Sequence, residues 1–324
     1  MKVGILGCGT IVPGFLEAGQ SIYEFQAISG LENDIPNMKK LAEAYGIKNI
    51  YTNADDLLAD DIDIVYCALP NSLHYAYGLK AIEAGKNVIM EKPFASNINQ
   101  AKELIEKAKE KGIYIFEAIT NQYLPNYQKV KELLPELGDI KIVQLNYSQY
   151  SRRYDAFKQG VILPVFDINK AGGALMDLNV YNIHFVTGLF GKPTDVQYFA
   201  NIERGVDTSG ILTLSYPTFK CVLVAAKDCK APVEVNIQGD KGFIHSDVPA
   251  NVFSAFRKES NEGEKKEFAL NSFADRMYYE LKTFADWLEA KDTSSFDKMN
   301  EHTLVVMDII DQARKFAGIK IVGE

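Results

Sequence analysis

The first ten residues, Met1-Lys-Val-Gly-Ile-Leu-Gly-Cys-Gly-Thr10, hold a short apolar run that breaks at two closely spaced glycines. The apolar run is typical of a buried strand, and residues 10–20 continue as an amphipathic helix. Gly7 permits the turn between them. Gly9 has no Cβ, so a pyrophosphate can approach the amides at the helix N-terminus, where the helix dipole favours negative charge. This order of strand, glycine turn and helix predicts dinucleotide binding, although Val12 replaces the third glycine of the usual fingerprint.

The carboxyl ends of the predicted parallel strands are where the dinucleotide is expected, because ligands of open α/β sheets bind beyond those ends. Dinucleotide-binding domains usually have an acidic residue at the end of the second strand, where it binds the adenosine ribose. Here the acidic residue, Glu32, comes one or two positions after that point. It is either a ribose ligand or a solvated loop carboxylate. There is no arginine nearby that could bind the 2′-phosphate of NADP. The choice between NAD and NADP therefore stays open. The residues expected to contact the cofactor are Gly7, Cys8, Gly9, Thr10, Ile11, Ser29, Gly30, Leu69, Pro70, Asn71, His74, Glu91 and Lys92.

Length, charge and cysteine usage narrow the class of protein. A chain of 324 residues exceeds what one hydrophobic core usually supports, which predicts two domains. A net charge of −8 without a dense Lys/Arg cluster argues against a nucleic-acid partner, and no apolar run approaches the ~20 residues that cross a bilayer. The four cysteines include no C-x-x-C pair, which favours reduced thiols. The first strand starts at about residue 2, which leaves no room for a signal peptide. We therefore expect a cytoplasmic protein. The dispersed histidines lack metal-ligand spacing, and no metal site is predicted.

The pattern of secondary structure changes near residue 120. Residues 1–120 alternate strand and helix signals, which predicts an α/β fold with a doubly wound Rossmann domain. Residues 121–324 contain strand-like runs without intervening helices between residues 194 and 257, followed by two helices. This pattern predicts an α+β substrate domain built on a large, mostly antiparallel open sheet. Two segments are expected to be irregular: a polar and aromatic loop over Ser151–Lys170, and a solvated loop or strand end over residues 264–267.

The segment Glu91-Lys92-Pro93 follows a predicted buried strand, Asn87–Met90. Lys92 therefore stands at the sheet edge where ligands bind, and Pro93 restricts its backbone to an extended conformation. An ammonium group beside a substrate hydroxyl or carbonyl oxygen would polarise it and stabilise developing negative charge. The alternative is an ordinary surface lysine in a turn.

A second pair of candidates lies at the start of an apolar helix. Asp177 and Tyr181 are spaced i, i+4, which places a carboxylate and a phenol on one helix face. Tyr181 can exchange a proton with a substrate hydroxyl if a cation such as Lys92 lies nearby, and Asp177 can orient either group. The preceding Gly172-Gly173 would let the backbone approach a ligand closely. The alternative is a core tyrosine next to a capping or salt-bridged aspartate.

Taken in order, these segments closely resemble the Gfo/Idh/MocA oxidoreductases, the family of glucose–fructose oxidoreductase and inositol dehydrogenase. Within that family, Glu117-Ala118 and the Asp177-x-x-x-Tyr181 spacing look most like the branch of dimeric dihydrodiol dehydrogenases and xylose dehydrogenases. Members of the inositol type carry histidine where this chain has Tyr181. The matching segments are Gly-Ile-Leu-Gly-Cys-Gly at 4–9, Pro-Asn-Ser-Leu-His at 70–74, Ala-Gly-Lys-Asn-Val-Ile-Met-Glu-Lys-Pro at 84–93 and Gly-Gly-Ala-Leu-Met-Asp at 172–177.

The resemblance implies roles for particular residues. Lys92, Asp177 and Tyr181 take the catalytic positions and also contact the substrate, and His74 falls near the nicotinamide. The open sheet commonly forms the subunit interface in this family, which implies a homodimer or homotetramer. From its composition, the loop after residue 150 is the best candidate for further substrate contacts, through Arg152, Arg153 and Tyr154, although it is equally well a surface loop.

The prediction is an NAD(P)-dependent dehydrogenase that transfers a hydride between the nicotinamide and a carbinol carbon of a sugar, polyol or cyclic diol. Two alternatives use the same fold. One is a non-catalytic, NAD(P)-responsive regulatory protein, which would not need the three catalytic candidates. The other is an NAD-dependent glycoside hydrolase, which would release a sugar without net reduction of the cofactor.

Overall fold

The computed structural model describes residues 1–320 and 323. It divides into two compact units, one of residues 1–118 with 275–301 and one of residues 119–274 with those from His302 onward. The sequence predicted a single change of domain near residue 120, which lies close to the first of these divisions. The return of residues 275–301 to the first unit was not predicted.

The first unit is built on a six-stranded sheet whose strands all run parallel. Their order is β3-β2-β1-β4-β5-β6, so the direction of winding reverses between β1 and β4. In doubly wound sheets that reversal opens the crevice in which dinucleotides bind. The predicted Rossmann sheet is thus confirmed. Its strands are β1 (Lys2–Leu6), β2 (Glu24–Ser29), β3 (Asn49–Tyr51), β4 (Ile64–Cys67), β5 (Asn87–Glu91) and β6 (Ile115–Ala118).

Helices in the first unit begin and end at residues suited to those positions. The side chain of Asn97 accepts a hydrogen bond from the amide of Gln100 at 2.9 Å, and Gly112 ends the same helix in the left-handed conformation. The shortest helix went unpredicted, because five residues are too few to show a helical period. The helices are α1 (Val12–Gly19), α2 (Ile35–Tyr45), α3 (Ala54–Leu58), α4 (His74–Glu83) and α5 (Ile98–Lys111).

The second unit contains an eight-stranded sheet in the order β14-β13-β12-β11-β7-β10-β9-β8. Every neighbouring pair is antiparallel except β7 and β10, which run parallel. This confirms the predicted large, mostly antiparallel sheet. Its strands are β7 (Ile140–Ser148), β8 (Asp195–Glu203), β9 (Val206–Ser215), β10 (Lys220–Ala226), β11 (Glu234–Gly239), β12 (Gly242–Ser246), β13 (Phe256–Ser260) and β14 (Lys265–Phe268).

Side chains alternate between the two faces of this sheet. One face is buried, with Val143 and Leu145 of β7 inaccessible to solvent. The other leaves Ile142, Phe199 and Ile211 about half exposed, at 46%, 55% and 45%. The solvated loop or strand end predicted at residues 264–267 mostly belongs to the edge strand β14, in which Lys265, Lys266 and Glu267 are exposed.

The segment predicted as a loop over residues 151–170 is partly helical. It contains the short helix α7 (Arg152–Lys158) and two 3₁₀ turns, which pack around a small cluster of Phe157, Phe166 and Val206. The prediction was wrong because Phe157 and Phe166 are too far apart in the sequence to show a helical period, and their partner Val206 lies on β9. The other helices of this unit are α6 (Pro125–Leu133) and α8 (Val180–Phe190).

Two helices follow the second sheet, α9 (Met277–Ala290) and α10 (Thr293–Ala317). Aromatic packing explains why residues 275–301 group with the first unit. The ring of Phe284 in α9 stacks on Phe116 of β6 with 4.5 Å between centroids, and Phe296 meets Tyr114 edge-on at 5.0 Å. Of the helices in the described part of the chain, none has the length and apolar character of a membrane span.

Candidate active site

The glycine turn after β1 has the features expected of a pyrophosphate loop. Gly7 has a φ of +99°, and a Cβ there would lie 2.6 Å from the carbonyl oxygen of Ala68, so only glycine fits. Its amide donates to the carbonyl oxygen of Ser29 at 2.8 Å. A Cβ at Gly9 would meet no described atom within 4 Å. The turn therefore leaves open space in front of α1, which fits the predicted position of the pyrophosphate; Thr10 and Ile11 complete it.

The loop after β2 is organised by residues that the sequence did not single out. Asp34 accepts a hydrogen bond from the amide of Leu31 at 3.0 Å, next to Gly30. The side-chain amide of Asn37 donates to the carbonyl oxygen of Cys8 at 2.8 Å and so ties this region to the glycine turn. Glu32, the possible ribose ligand, is exposed in a 3₁₀ turn.

Lys92 follows the last residue of β5, and buried groups hold the chain on both sides of it. The Tyr66 hydroxyl donates to Glu91 at 2.6 Å, and burial raises the pKa of that carboxyl group. On the other side, the amide of Phe94 donates to the buried carboxylate of Glu117 at 3.1 Å. Glu91 was predicted as a cofactor contact, but its side chain lies in the interior of the unit, where it fixes the strand end.

His74 is completely buried and bridges two loops at the edge of the sheet. Its Nδ1 lies 2.9 Å from the carbonyl oxygen of Pro93, and its Nε2 lies 2.8 Å from that of Leu69. Burial lowers the pKa of His74. Both ring nitrogens thus face protein carbonyls, so His74 braces the loop of Leu69, Pro70 and Asn71 against the chain after Lys92. It was predicted as a cofactor contact, and the structure gives it this supporting role.

The helix expected to start at Gly172-Gly173 begins instead with a π-helical turn, Leu175–Asn179, in which the amide of Val180 donates to the carbonyl of Leu175. Such turns are frequent at functional sites. The two glycines were expected to face a ligand, and this was wrong. A Cβ on Gly173 would lie 2.0 Å from a carboxylate oxygen of Asp207, and one on Gly172 would lie 2.7 Å from a backbone oxygen. The two glycines therefore allow close approach of other parts of the protein to this backbone.

Asp207 anchors the start of that π-helical turn. It is 2% exposed, and one carboxylate oxygen accepts hydrogen bonds from the amide of Leu175 and the hydroxyl of Tyr198, both at 2.7 Å. Burial raises the pKa of Asp207 to about 6. The segment that carries Asp177 is therefore held by a buried acid.

Asp207→Asn is expected to change how stability depends on pH. An unfolded aspartate has a pKa of roughly 3.9, so between that pH and 6 the folded protein keeps a proton that the unfolded chain releases. The stability contributed by protonated Asp207 is thus lost as the pH rises through this range. The free energy of unfolding of the variant minus that of the unchanged protein should increase by about 2 kcal/mol from pH 4 to pH 7. Urea unfolding measures it, with Asp195→Asn as an exposed control; a pH-independent difference would contradict the assignment.

Asp177 forms an ion pair with Lys227, which directly follows β10. Lys227 Nζ lies 2.7 Å from Asp177 Oδ2 and 3.1 Å from the carbonyl oxygen of Val165, and it stands over the Phe166 ring at 4.8 Å from the centroid. The lysine side chain is 3% exposed and the aspartate 32%. Sequence reasoning missed Lys227, because a single lysine after an apolar strand carries no motif.

Tyr181 lies in the first turn of α8 and is 8% exposed. Its ring centroid is 6.2 Å from that of Tyr147 on β7, and its backbone carbonyl accepts a hydrogen bond from Asn121 at 2.9 Å. The backbone at Tyr181 is thus fixed by a neighbouring element of the same unit.

A cavity of about 420 Å³ is lined by both Asp177 and Arg152, two of the residues predicted to contact the substrate. Tyr154, predicted with them, does not line it. The Tyr154 hydroxyl instead donates to Glu203 at 2.6 Å, which raises its pKa to about 12, and its ring packs on the cluster around Phe157. The cavity is lined by Gln149, Tyr150, Ser151, Arg152, Arg153, Asp177, Leu178 and Lys227. Within residues 1–320 and 323, no three metal-ligating side chains come together.

Known proteins resemble both units. Residues 1–118 match the model of the GFO_IDH_MocA oxidoreductase family with its NAD-binding Rossmann fold, and residues 127–245 match the model of the GFO/IDH/MocA C-terminal domain. The chain is 32% identical over 326 residues to scyllo-inositol 2-dehydrogenase (NADP(+)) IolU of Bacillus subtilis, with 98% of each chain covered. It is 28% identical over 274 residues to trans-1,2-dihydrobenzene-1,2-diol dehydrogenase of Xenopus tropicalis, covering 82% of this chain and 80% of the other.

A solved structure shares the fold over nearly the whole length. The 3-ketoreductase KijD10 of Actinomadura kijaniata, in complex with TDP-benzene and NADP, superposes with a TM-score of 0.83. That alignment covers 97% of this chain and 96% of the other at 22% sequence identity. Together with the family models, these relatives confirm the resemblance seen in the sequence.

Proposed function

The chain belongs to the Gfo/Idh/MocA family of oxidoreductases, with NAD or NADP as cofactor, and we propose that it transfers a hydride between the nicotinamide and a carbinol carbon of a sugar, polyol or cyclic diol. The relatives named above act on an inositol and on a dihydrodiol. Both are rings that carry neighbouring hydroxyl groups, which supports this substrate class.

Each candidate residue has a distinct part in this chemistry. The nicotinamide, when bound, supplies the hydride acceptor or donor. Lys92 donates a hydrogen bond to the substrate oxygen and stabilises its developing negative charge. Tyr181 moves the hydroxyl proton, and Asp177, held by Lys227, orients the substrate.

Support comes above all from the setting of Lys92 at the carboxyl end of β5. The buried contacts of Glu91 and Glu117 fix the backbone on either side of it, and the brace from His74 reaches the adjacent Pro93. A fixed backbone limits the positions that the Lys92 ammonium group can reach, and such restriction favours the pre-organisation that electrostatic stabilisation of a transition state requires.

The test is a panel of aldoses, inositols and diols assayed with NAD⁺ and with NADP⁺ at the absorbance band of the reduced nicotinamide. Tyr181→Phe is expected to lower kcat by roughly 10² to 10⁴ with little change in cofactor affinity, because the proton-transferring group is lost. Tyr154→Phe is the matched control, since its hydroxyl bonds Glu203 away from the cavity. A nitrophenyl glycoside assayed beside this panel tests the alternative, because release of sugar and nitrophenol without net reduction of the cofactor would indicate glycoside hydrolysis. Equal rates for both variants would remove Tyr181 from the mechanism.

We further propose that the exposed face of the eight-stranded sheet pairs with a second copy of the chain. Ile142, Phe199 and Ile211 on that face are apolar and about half exposed, and such a patch typically marks an interface. Sedimentation should therefore give a dimer or tetramer. Ile211→Lys should shift the oligomeric state toward monomer. The control is Val161→Lys, at an exposed residue outside the sheet, which should leave the oligomeric state unchanged. A monomer at all concentrations would refute the proposal.

All four cysteines are free thiols. Because disulfides form readily in oxidising compartments, this supports the proposal that the protein works in the reducing cytoplasm.

A further inference from the structure

We propose that Arg152 and Arg153 form an anion subsite of the cavity, so that the substrate carries a carboxylate or phosphate group in addition to its hydroxyls. This inference rests on the proposed function and narrows its substrate class to acidic or phosphorylated sugars and polyols.

The charges around the cavity do not cancel. Three cations line it, Arg152, Arg153 and Lys227, against one carboxylate, Asp177. That carboxylate is already bonded to Lys227 at 2.7 Å. Two guanidinium groups are left over, in a protein whose overall net charge is −8. A cation-lined cavity in an acidic protein concentrates field lines and attracts anions.

No carboxylate among the described residues compensates the charge of the two arginines. Across the described residues, neither guanidinium has a carboxylate within 4 Å, and both side chains are exposed. The nearest acid on the same helix, Asp155, is engaged by the Tyr150 hydroxyl at 2.7 Å and by Lys158 at 2.9 Å. The arginines thus have no visible structural task, and their fork of donors matches an oxyanion.

The backbone that carries the arginines is fixed. The Ser151 hydroxyl accepts a hydrogen bond from the amide of Arg153 at 3.3 Å, and the amide of Ser151 donates to the carbonyl of Lys227 at 2.8 Å. The first residues of α7 are therefore tied to the strand end that supplies the buried lysine. A cavity of about 420 Å³ lies within the range of small-molecule sites. Gln149 and Ser151 add neutral donors and acceptors suited to hydroxyl groups.

The experiment compares matched neutral and anionic compounds. D-Glucose, D-glucuronate and D-glucose 6-phosphate form one set, and myo-inositol and myo-inositol 1-phosphate form another, each assayed for kcat and KM with both cofactors. We expect at least one anionic compound to have a kcat/KM about tenfold or more above that of its neutral partner. One charge-assisted hydrogen bond is enough to give a difference of this size. The carboxylate and phosphate arms distinguish the two forms of anion.

Arg152→Gln/Arg153→Gln should lower that preference about tenfold or more, mainly through a higher KM for the anionic compound. Arg257→Gln is the matched control, an arginine of the same unit that lies 4.0 Å from Asp247 and does not line the cavity. Neutral members turned over as well as anionic ones would overturn the subsite and leave the proposed function standing. An anionic preference that survives the double substitution would remove the arginines from it. If no compound reduces either cofactor, the proposed function falls and the subsite with it.

Discussion

Lys92→Ala is expected to lower turnover by roughly a thousandfold or more while the affinity for NAD(P) stays nearly unchanged. The ammonium group acts on the substrate oxygen in the transition state, so its loss removes stabilisation that the ground state lacks. The hydrogen bond from Tyr66 to Glu91 and the one from the Phe94 amide to Glu117 use no atom of Lys92, so we expect the loop to keep its backbone conformation. Steady-state kinetics give turnover, and calorimetric titration gives the cofactor affinity.

Two further variants make this result interpretable. Lys111→Ala removes an exposed lysine that pairs with Glu83 in the same unit, and it should leave turnover unchanged. Lys92→Arg keeps the positive charge but changes the shape of the donor group, so it should recover only part of the activity. Unchanged turnover in Lys92→Ala would end the proposed mechanism, and lost cofactor binding would assign Lys92 a cofactor role instead.

Asp177→Asn is expected to destabilise the protein more than Lys227→Met, although both break the same ion pair. Lys227 is 3% exposed, so Asp177→Asn removes the carboxylate that pairs with a buried ammonium, which costs about 3 kcal/mol. Asp177 is 32% exposed, so after loss of the lysine water solvates the carboxylate, and we expect about 1 kcal/mol. The double substitution should cost less than the sum of the single ones, because the groups interact directly. Urea unfolding of the four proteins measures all three quantities.

The control for this cycle is an exposed ion pair in the first unit, Lys282 and Asp286 in α9. Asp286→Asn should change the free energy of unfolding by about 0.5 kcal/mol or less, as is usual for surface pairs. Equal costs for Asp177→Asn and Lys227→Met would show that burial does not decide the energetics here. Turnover is read in the same proteins, and both single variants should lose it, since Lys227 positions Asp177.

The fold of the first unit could be predicted closely because its signals are local. The strand predicted at Asn87–Met90 is observed as β5, one residue longer, since short apolar runs ended by turn residues mark buried parallel strands. In the second unit, the pairing of β7 with β10 joins residues that lie far apart in the chain. The helix α7 and the strand β13 were not predicted, because their few apolar residues pack against residues that are distant in the chain. Residues 264–267 were predicted as a solvated loop or strand end, and most of them form β14.

The sequence by itself determined the family, the Rossmann sheet, the glycine turn and the residue types available for chemistry, because each is encoded within a few consecutive residues. Only the tertiary structure decided which side chains contact one another. Asp177 pairs with a lysine 50 positions away, Asp207 holds an amide 32 positions away, and Tyr154 turns to a glutamate 49 positions away. These contacts depend on how strands and turns that are distant in the chain pack together, and a local sequence pattern contains no information about that packing.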